Sequence, residues 1–178
     1  MRNSTWELRM KRLAGCLGAL ALGVAVVPAL SAGSSGSPYD SVNGSGWRGN
    51  IVTPNTALTH FVVSAQNGPQ GVSGSYHSDS GTKGNPQLTF TGTVTCLYLA
   101  GDHALVGGVI TKAAVPDEVG NGFAVGFIDT PGATPDTVTL SDVFAPTPVD
   151  CGSEADFLFG GIPTLPFVIG DVVVNDAP

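Results

Sequence analysis

Between residue 58 and the C-terminus, apolar and polar side chains alternate in short runs separated by Gly, Pro, Asn and Asp. The clearest run is residues 87–100, QLTFTGTVTCLYLA. Leu88, Phe90, Val94, Cys96 and Tyr98 share one parity, and Thr89, Thr91, Thr93 and Thr95 share the other. A period of two with β-branched residues on the polar side predicts a half-buried strand with Cys96 on its core face. Gly92 interrupts the apolar parity and marks a bulge or a close backbone approach.

Residues 58–65 (LTHFVVSA), 104–112 (ALVGGVITK), 122–129 (GFAVGFID), 137–144 (TVTLSDVF) and 167–174 (FVIGDVVV) carry similar strand signatures. The Gly101-Asp102-His103 step predicts a hairpin between two of them. A weak, exposed hairpin is expected around residues 72–77. Outside residues 13–30, no stretch of ten or more residues has a helical period. The pattern predicts an all-β fold of about seven or eight strands, a single antiparallel meander closing into a small β-barrel. A β-sandwich is the alternative. Closure is favoured because it removes hydrophobic edges that a charge-poor chain has little means to guard.

The first residues follow a different grammar. Arg2, Arg9, Lys11 and Arg12 oppose only Glu7, and an uncharged apolar run over 13–30 ends in Pro28, Ala29, Ser31 and Ala32. This is the order of a secretory signal peptide, expected over 1–31 with cleavage after Ser31 or Ala32. Residues 32–50, rich in Gly and Ser, are expected to be a flexible linker, and 51–178 the all-β domain. A membrane anchor is disfavoured because the apolar run of 18 residues is broken by Gly15, Gly18, Gly23 and Pro28. Cys16 precedes most of that run, which is the wrong order for a lipid-attachment site.

Export changes the charge. The 178-residue chain has a net charge of −7, but beyond residue 31 only Arg48, Lys83 and Lys112 face thirteen acids, a net charge of −10. Such a domain repels phosphate backbones and anionic lipid, so neither nucleic acid nor an anionic membrane surface is expected as a partner. Cys96 and Cys151 remain, and an oxidising compartment predicts their pairing.

The segments GTVTCL (92–97), GDHALVGGVIT (101–111), GFAVGFID (122–129), the Pro135-Asp136 step, the Asp150-Cys151 pair and GDVVV (170–174) resemble the small exported β-proteins of unknown function common in actinobacteria. The resemblance spans about 58–176. It implies secretion and an all-β domain with a paired cysteine, and it carries no reaction.

Candidate chemistry is sparse. Residues 71–75 (GVSGS) miss the nucleophile elbow at its last position. Residues 44–49 (GSGWRG) match G-x-G-x-x-G but follow no strand within a βαβ unit. His60, His77 and His103 are dispersed and read as ordinary histidines. Acids crowd the second half, so Asp129, Asp136, Asp142 and Asp150 are the candidates for an oxygen-rich metal site, with Ca²⁺ as its ion. Their ordinary role is to cap turns. Asp129 and Asp142, at strand ends, are the candidates for a hydrolytic carboxylate pair.

The leading expectation is a secreted, monomeric, non-catalytic binding or surface-interaction module with no resident cofactor. Its partner would be a small apolar ligand held by Phe90, Val125, Phe127 and Ile169, or an extracellular protein. A secreted hydrolase using paired Asp carboxylates is the alternative, and a Ca-stabilised extracellular domain is the second.

Overall fold

The computed structural model describes residues 38–49, 58–80, 89–132, 135–139, 149–161 and 164–178. The chain divides into two units, Met1–Ser34 and Ser35–Pro178, and all described residues belong to the second.

Eight antiparallel strands form a closed barrel in simple sequence order. They are β1 (Ser41–Arg48), β2 (Thr59–Gly68), β3 (Gly71–Asp79), β4 (Phe90–Ala100), β5 (His103–Ala113), β6 (Gly122–Ile128), β7 (Thr137–Thr139) and β8 (Thr164–Asn175). Pairing of β1 with β8, from Ser41↔Asn175 to Arg48↔Phe167, closes the meander. An α-helix, α1 (Cys151–Gly161), lies between β7 and β8 in the chain.

β1 falls inside the segment expected to be a flexible linker. Its full length pairs with β2 on one side and β8 on the other. The inward parity is Val42, Gly44, Gly46 and Arg48, so two glycines stand where a strand normally shows apolar side chains. The reason is spatial: a Cβ at Gly46 would lie 3.0 Å from the Phe61 ring. Aromatic bulk from β2 fills the space that β1 leaves. Likewise, the weak hairpin expected near 72–77 is a continuous strand, β3, which pairs with β2 through the Gly68↔Gly71 turn.

The barrel interior is packed. Phe61 lies 4.9 Å from Phe167 and 5.6 Å from Phe127, centroid to centroid. Tyr76 stacks on Phe123 at 5.4 Å and contacts Phe90 at 5.5 Å and Phe127 at 6.4 Å. Together with Val42, Val63, Val94, Val106, Ile110, Val125 and Val172 these rings form one buried cluster. Gly92 faces the Phe123 ring so closely that a Cβ would collide with it, and the β4–β5 register shifts at Thr91/Gly92. Gly92 thus sits beside an irregularity, whose extra residue is Thr111 of β5, and makes the close approach to a ring that its position allows.

A second register shift lies between Val94 and Cys96 and reverses the inward side of β4. Two residues of β4 oppose one of β5 there, so the parity flips beyond Thr95. Leu97 and Leu99 therefore pack against the interior cluster, and Tyr98 is exposed on the outer face. Cys96 does not point inward as its alternation suggests; it joins an outer cluster of Leu105, Ala124, Val149, Cys151 and Ala155. The Cys96–Cys151 disulfide, with Cα atoms 5.8 Å apart, ties the start of α1 to the outer wall.

Candidate functional site

Three regions of the outer surface carry chemistry. The first is the seam between β7 and β8. These strands pair only over Thr137–Thr139 and Thr164–Pro166, so among the described residues β8 runs on from Phe167 with no strand on that side. An unpaired strand edge leaves amides that must find other acceptors. Asp136, 4% exposed, supplies acceptors for two of them and for a third amide at Thr130. Its Oδ2 accepts the Val172 amide at 2.8 Å, its Oδ1 accepts the Thr130 amide at 2.8 Å, and its carbonyl accepts the Phe167 amide at 2.8 Å. Asp129 Oδ2 accepts the Val174 amide at 3.0 Å. Two carboxylates accept amides there that no strand among the described residues accepts.

Beside them opens a polar cleft of about 350 Å³ lined by Asp129, Thr130, Asp136, Ile169 and Asp171. Desolvation in the cleft, a hydrogen bond to Asp136 and the charges of Asp136 and Asp129 hold the Asp171 carboxyl above the ordinary aspartate range. Each of these causes disfavours the charged form of Asp171 relative to the neutral one.

The second region is the outer face of β8, β1 and β2. Trp47 sits between Ile169 and His60 in register, and Ser45 between Asp171 and Val62. The His60 ring lies 4.9 Å from the Trp47 ring. Trp47 and Val62 are each 41% exposed, Val173 is 55% and Ile169 is 70%. Along β8, Asp171 stands between Ile169 and Val173 on the same outward parity. Ile169, expected to line the barrel interior, faces outward instead. The β1–β8 register shifts between Trp47 and Arg48, which bulges Val168 and flips the parity after Phe167.

The third region is a groove of about 400 Å³ where α1 meets the barrel, lined by Tyr98, Ala100, His103, Ala155, Phe159 and Gly160. His103 Nδ1 lies 2.6 Å from Asp102 Oδ1, and its ring meets Phe159 edge-on at 5.0 Å. The other histidines serve elsewhere: His60 on Trp47, and His77 with Nδ1 3.0 Å from the Thr91 hydroxyl.

Of the acids expected to share a metal site, the structure brings two together and places a third elsewhere. Asp129 and Asp136 meet at the seam. Asp150 caps α1, its Oδ1 accepting the Gly152 amide at 3.0 Å. Asp142 lies outside the described residues. Among the described residues no three His, Cys, Asp or Glu side chains are placed to hold a metal ion. The hydrolytic pair of Asp129 and Asp142 falls partly outside the described residues for the same reason. The acid that does join the cluster, Asp171, is not singled out by any sequence motif. Its signal is there, as the one charge within FVIGDVVV.

Among the described residues no helix is long and apolar enough to cross a membrane. No protein-family model, curated protein or solved structure matches the chain.

Proposed function

We propose that the chain is a secreted, non-catalytic module that binds its partner on the outside of a filled barrel. One observation carries this reading, the contrast between the two sides of the wall. Inside, Phe61, Tyr76, Phe90, Phe123 and Phe127 are all at most 2% exposed and pack ring on ring. A carrier instead needs a concave apolar pocket of several hundred Å³. Phe90, Val125 and Phe127 are spent on this core. Outside, Trp47, Val62, Ile169 and Val173 stand in water on adjacent strands. Contiguous exposed apolar surface of this kind marks interaction sites. A structural disulfide fits an oxidising, extracellular setting.

A second reading has one observation in its favour: Asp136 and Asp171 form a hydrogen-bonded carboxyl pair in a polar cleft. Such a pair is closer than the roughly 5–10 Å that glycoside hydrolysis requires. Both Asp136 oxygens also accept main-chain amides, which favours a structural duty.

Incubating the full chain with chromogenic glycosides, esters and peptides separates the two readings. The binding-module reading expects no turnover above that of an Asp171→Asn variant. Turnover that disappears in Asp171→Asn would overturn it in favour of the hydrolase.

A further inference from the structure

The exposed face of β8–β1–β2 combines exposed apolar side chains with acids along one flank. We infer that it docks a basic, apolar-flanked peptide segment of a partner protein: a Lys or Arg seated on Asp171, with apolar neighbours on Trp47, Val62 and Ile169. The inference rests on the binding-module reading and names its surface and partner.

Strand register sets the platform. Ile169, Asp171 and Val173 project outward at successive alternate positions of β8, a spacing of about 7 Å between neighbours. Trp47 and Val62 extend the apolar area across β1 and β2. The platform is therefore apolar with one acid set inside it, and Asp129 and Asp136 line the adjoining cleft with Asp171. Asp171 is the exposed carboxylate that meets the cation, while Asp129 and the buried Asp136, held by main-chain amides, add negative charge behind it. The Trp47 face adds cation–π attraction for an Arg or Lys beside it. Trp and charged partners at the centre of a patch are the usual carriers of binding energy.

Other occupants fit less well. A second copy of the chain would bring another domain of net charge −10, beyond residue 31, against the same acids. Anionic lipid meets the same repulsion. A sugar would stack on Trp47, but the His60 ring already lies 4.9 Å from it on the β2 side, and its row neighbour on β8 is the aliphatic Ile169.

The test uses the full chain and three synthetic peptides of equal length. In the first a central Lys is flanked by Val and Ile; in the second Lys becomes Glu; in the third the apolar residues become Ser. Calorimetric titration should show saturable binding of the first peptide and at least ten-fold weaker binding of the other two. Trp47→Ala and Asp171→Asn should each weaken the first peptide about ten-fold, with Val119→Ala unchanged, and added salt should weaken it further. Circular dichroism checks that the variants fold, and the peptide swaps test the inference without altering the protein. Equal affinity for the Glu peptide overturns the inference. So does equal affinity of Trp47→Ala, which places binding elsewhere but leaves the module reading standing. Failure to bind the Lys peptide overturns the basic-peptide partner, and sedimentation showing dimers, or retention on anionic vesicles, then identifies the other occupant. Asp171-dependent cleavage of the peptides overturns the module reading itself.

Discussion

The Asp136 carboxylate holds the Val172 amide at 2.8 Å, across 36 residues of sequence and across the seam where β8 outruns β7. A buried, charge-assisted bond of this kind is worth more than a strand-to-strand bond. Asp136 also takes the Thr130 amide, so its removal strands two donors at once.

Asp136→Asn should therefore destabilise the protein by about 2–3 kcal/mol, because an amide presents donors where two amides point. Asp129→Asn, with the single Val174 bond, should cost less. Urea unfolding with both variants checks the order. Equal and negligible effects would mean that the seam does not depend on these carboxylates.

Asp171 should act in the opposite sense. Its folded pKa lies above its unfolded one, so its protonated form favours the fold. That contribution is complete below the unfolded pKa and is lost as pH rises through the folded value. At neutral pH the charged Asp171 repels Asp136 and Asp129, and Asp171→Asn should raise the melting temperature there. The advantage should shrink toward acid pH. Thermal scans from about pH 3 to about pH 8 read both ends of the profile.

The disulfide closes a span of 55 residues. In the chain-entropy model, replacing both cysteines by Ala should cost about 4 kcal/mol. The loss should be felt first in α1, whose amides should exchange with solvent faster than those of β5. Gly107 offers an independent probe, since a Cβ there would lie 2.6 Å from Cys96 Sγ and 2.9 Å from Cys151 Sγ. Gly107→Val should cost about 1–3 kcal/mol by overpacking, and less in the double Cys→Ala background.

Arg48 is 2% exposed and donates from Nη1 to the Thr139 carbonyl at 2.8 Å. Arg48→Met keeps most of the bulk and removes the donor. About 1.5–3 kcal/mol should be lost in chemical denaturation, the range for hydrogen bonds to charged groups. A neutral outcome would mean that the buried guanidinium contributes nothing net to the fold.

Much of this architecture is legible in the alternation of apolar and polar residues. Phe123, Val125 and Phe127 share one parity and all point into the barrel, and the Asp102 turn joins β4 to β5 as its sequence predicts. Alternation fails where the backbone changes phase. Thr95 and Val168 are bulges, and each reverses the residue after it: Cys96 and Ile169 both face outward. It fails again in β1, whose inward Gly46 makes room for Phe61 and whose Gly44 lies against the β8 backbone, so that the segment resembles a linker. α1 is hard to see because CGSEADFLFGG has three glycines and little periodicity. Its cap at Asp150, the disulfide and burial of Ala155 hold it instead. A trace of it lies in β5 and β6: ALVGG and GFAVGF are mostly buried on both parities, as strands covered on both faces are. Asp171 is hidden for a different reason. Its cluster is assembled from three places in the chain, and only the seam brings them together.

A full barrel with recognition on its outer wall makes one direct demand: nothing small and apolar should enter the interior. Titrating the isotope-labelled full chain with a neutral apolar naphthylamine, and following the ring and methyl resonances of Phe90, Val125 and Phe127, tests it. No saturable shift is expected at these interior residues up to the probe's solubility limit. One probe bound per chain, with contacts to Phe90 or Phe127, would contradict the filled interior and restore a ligand carrier.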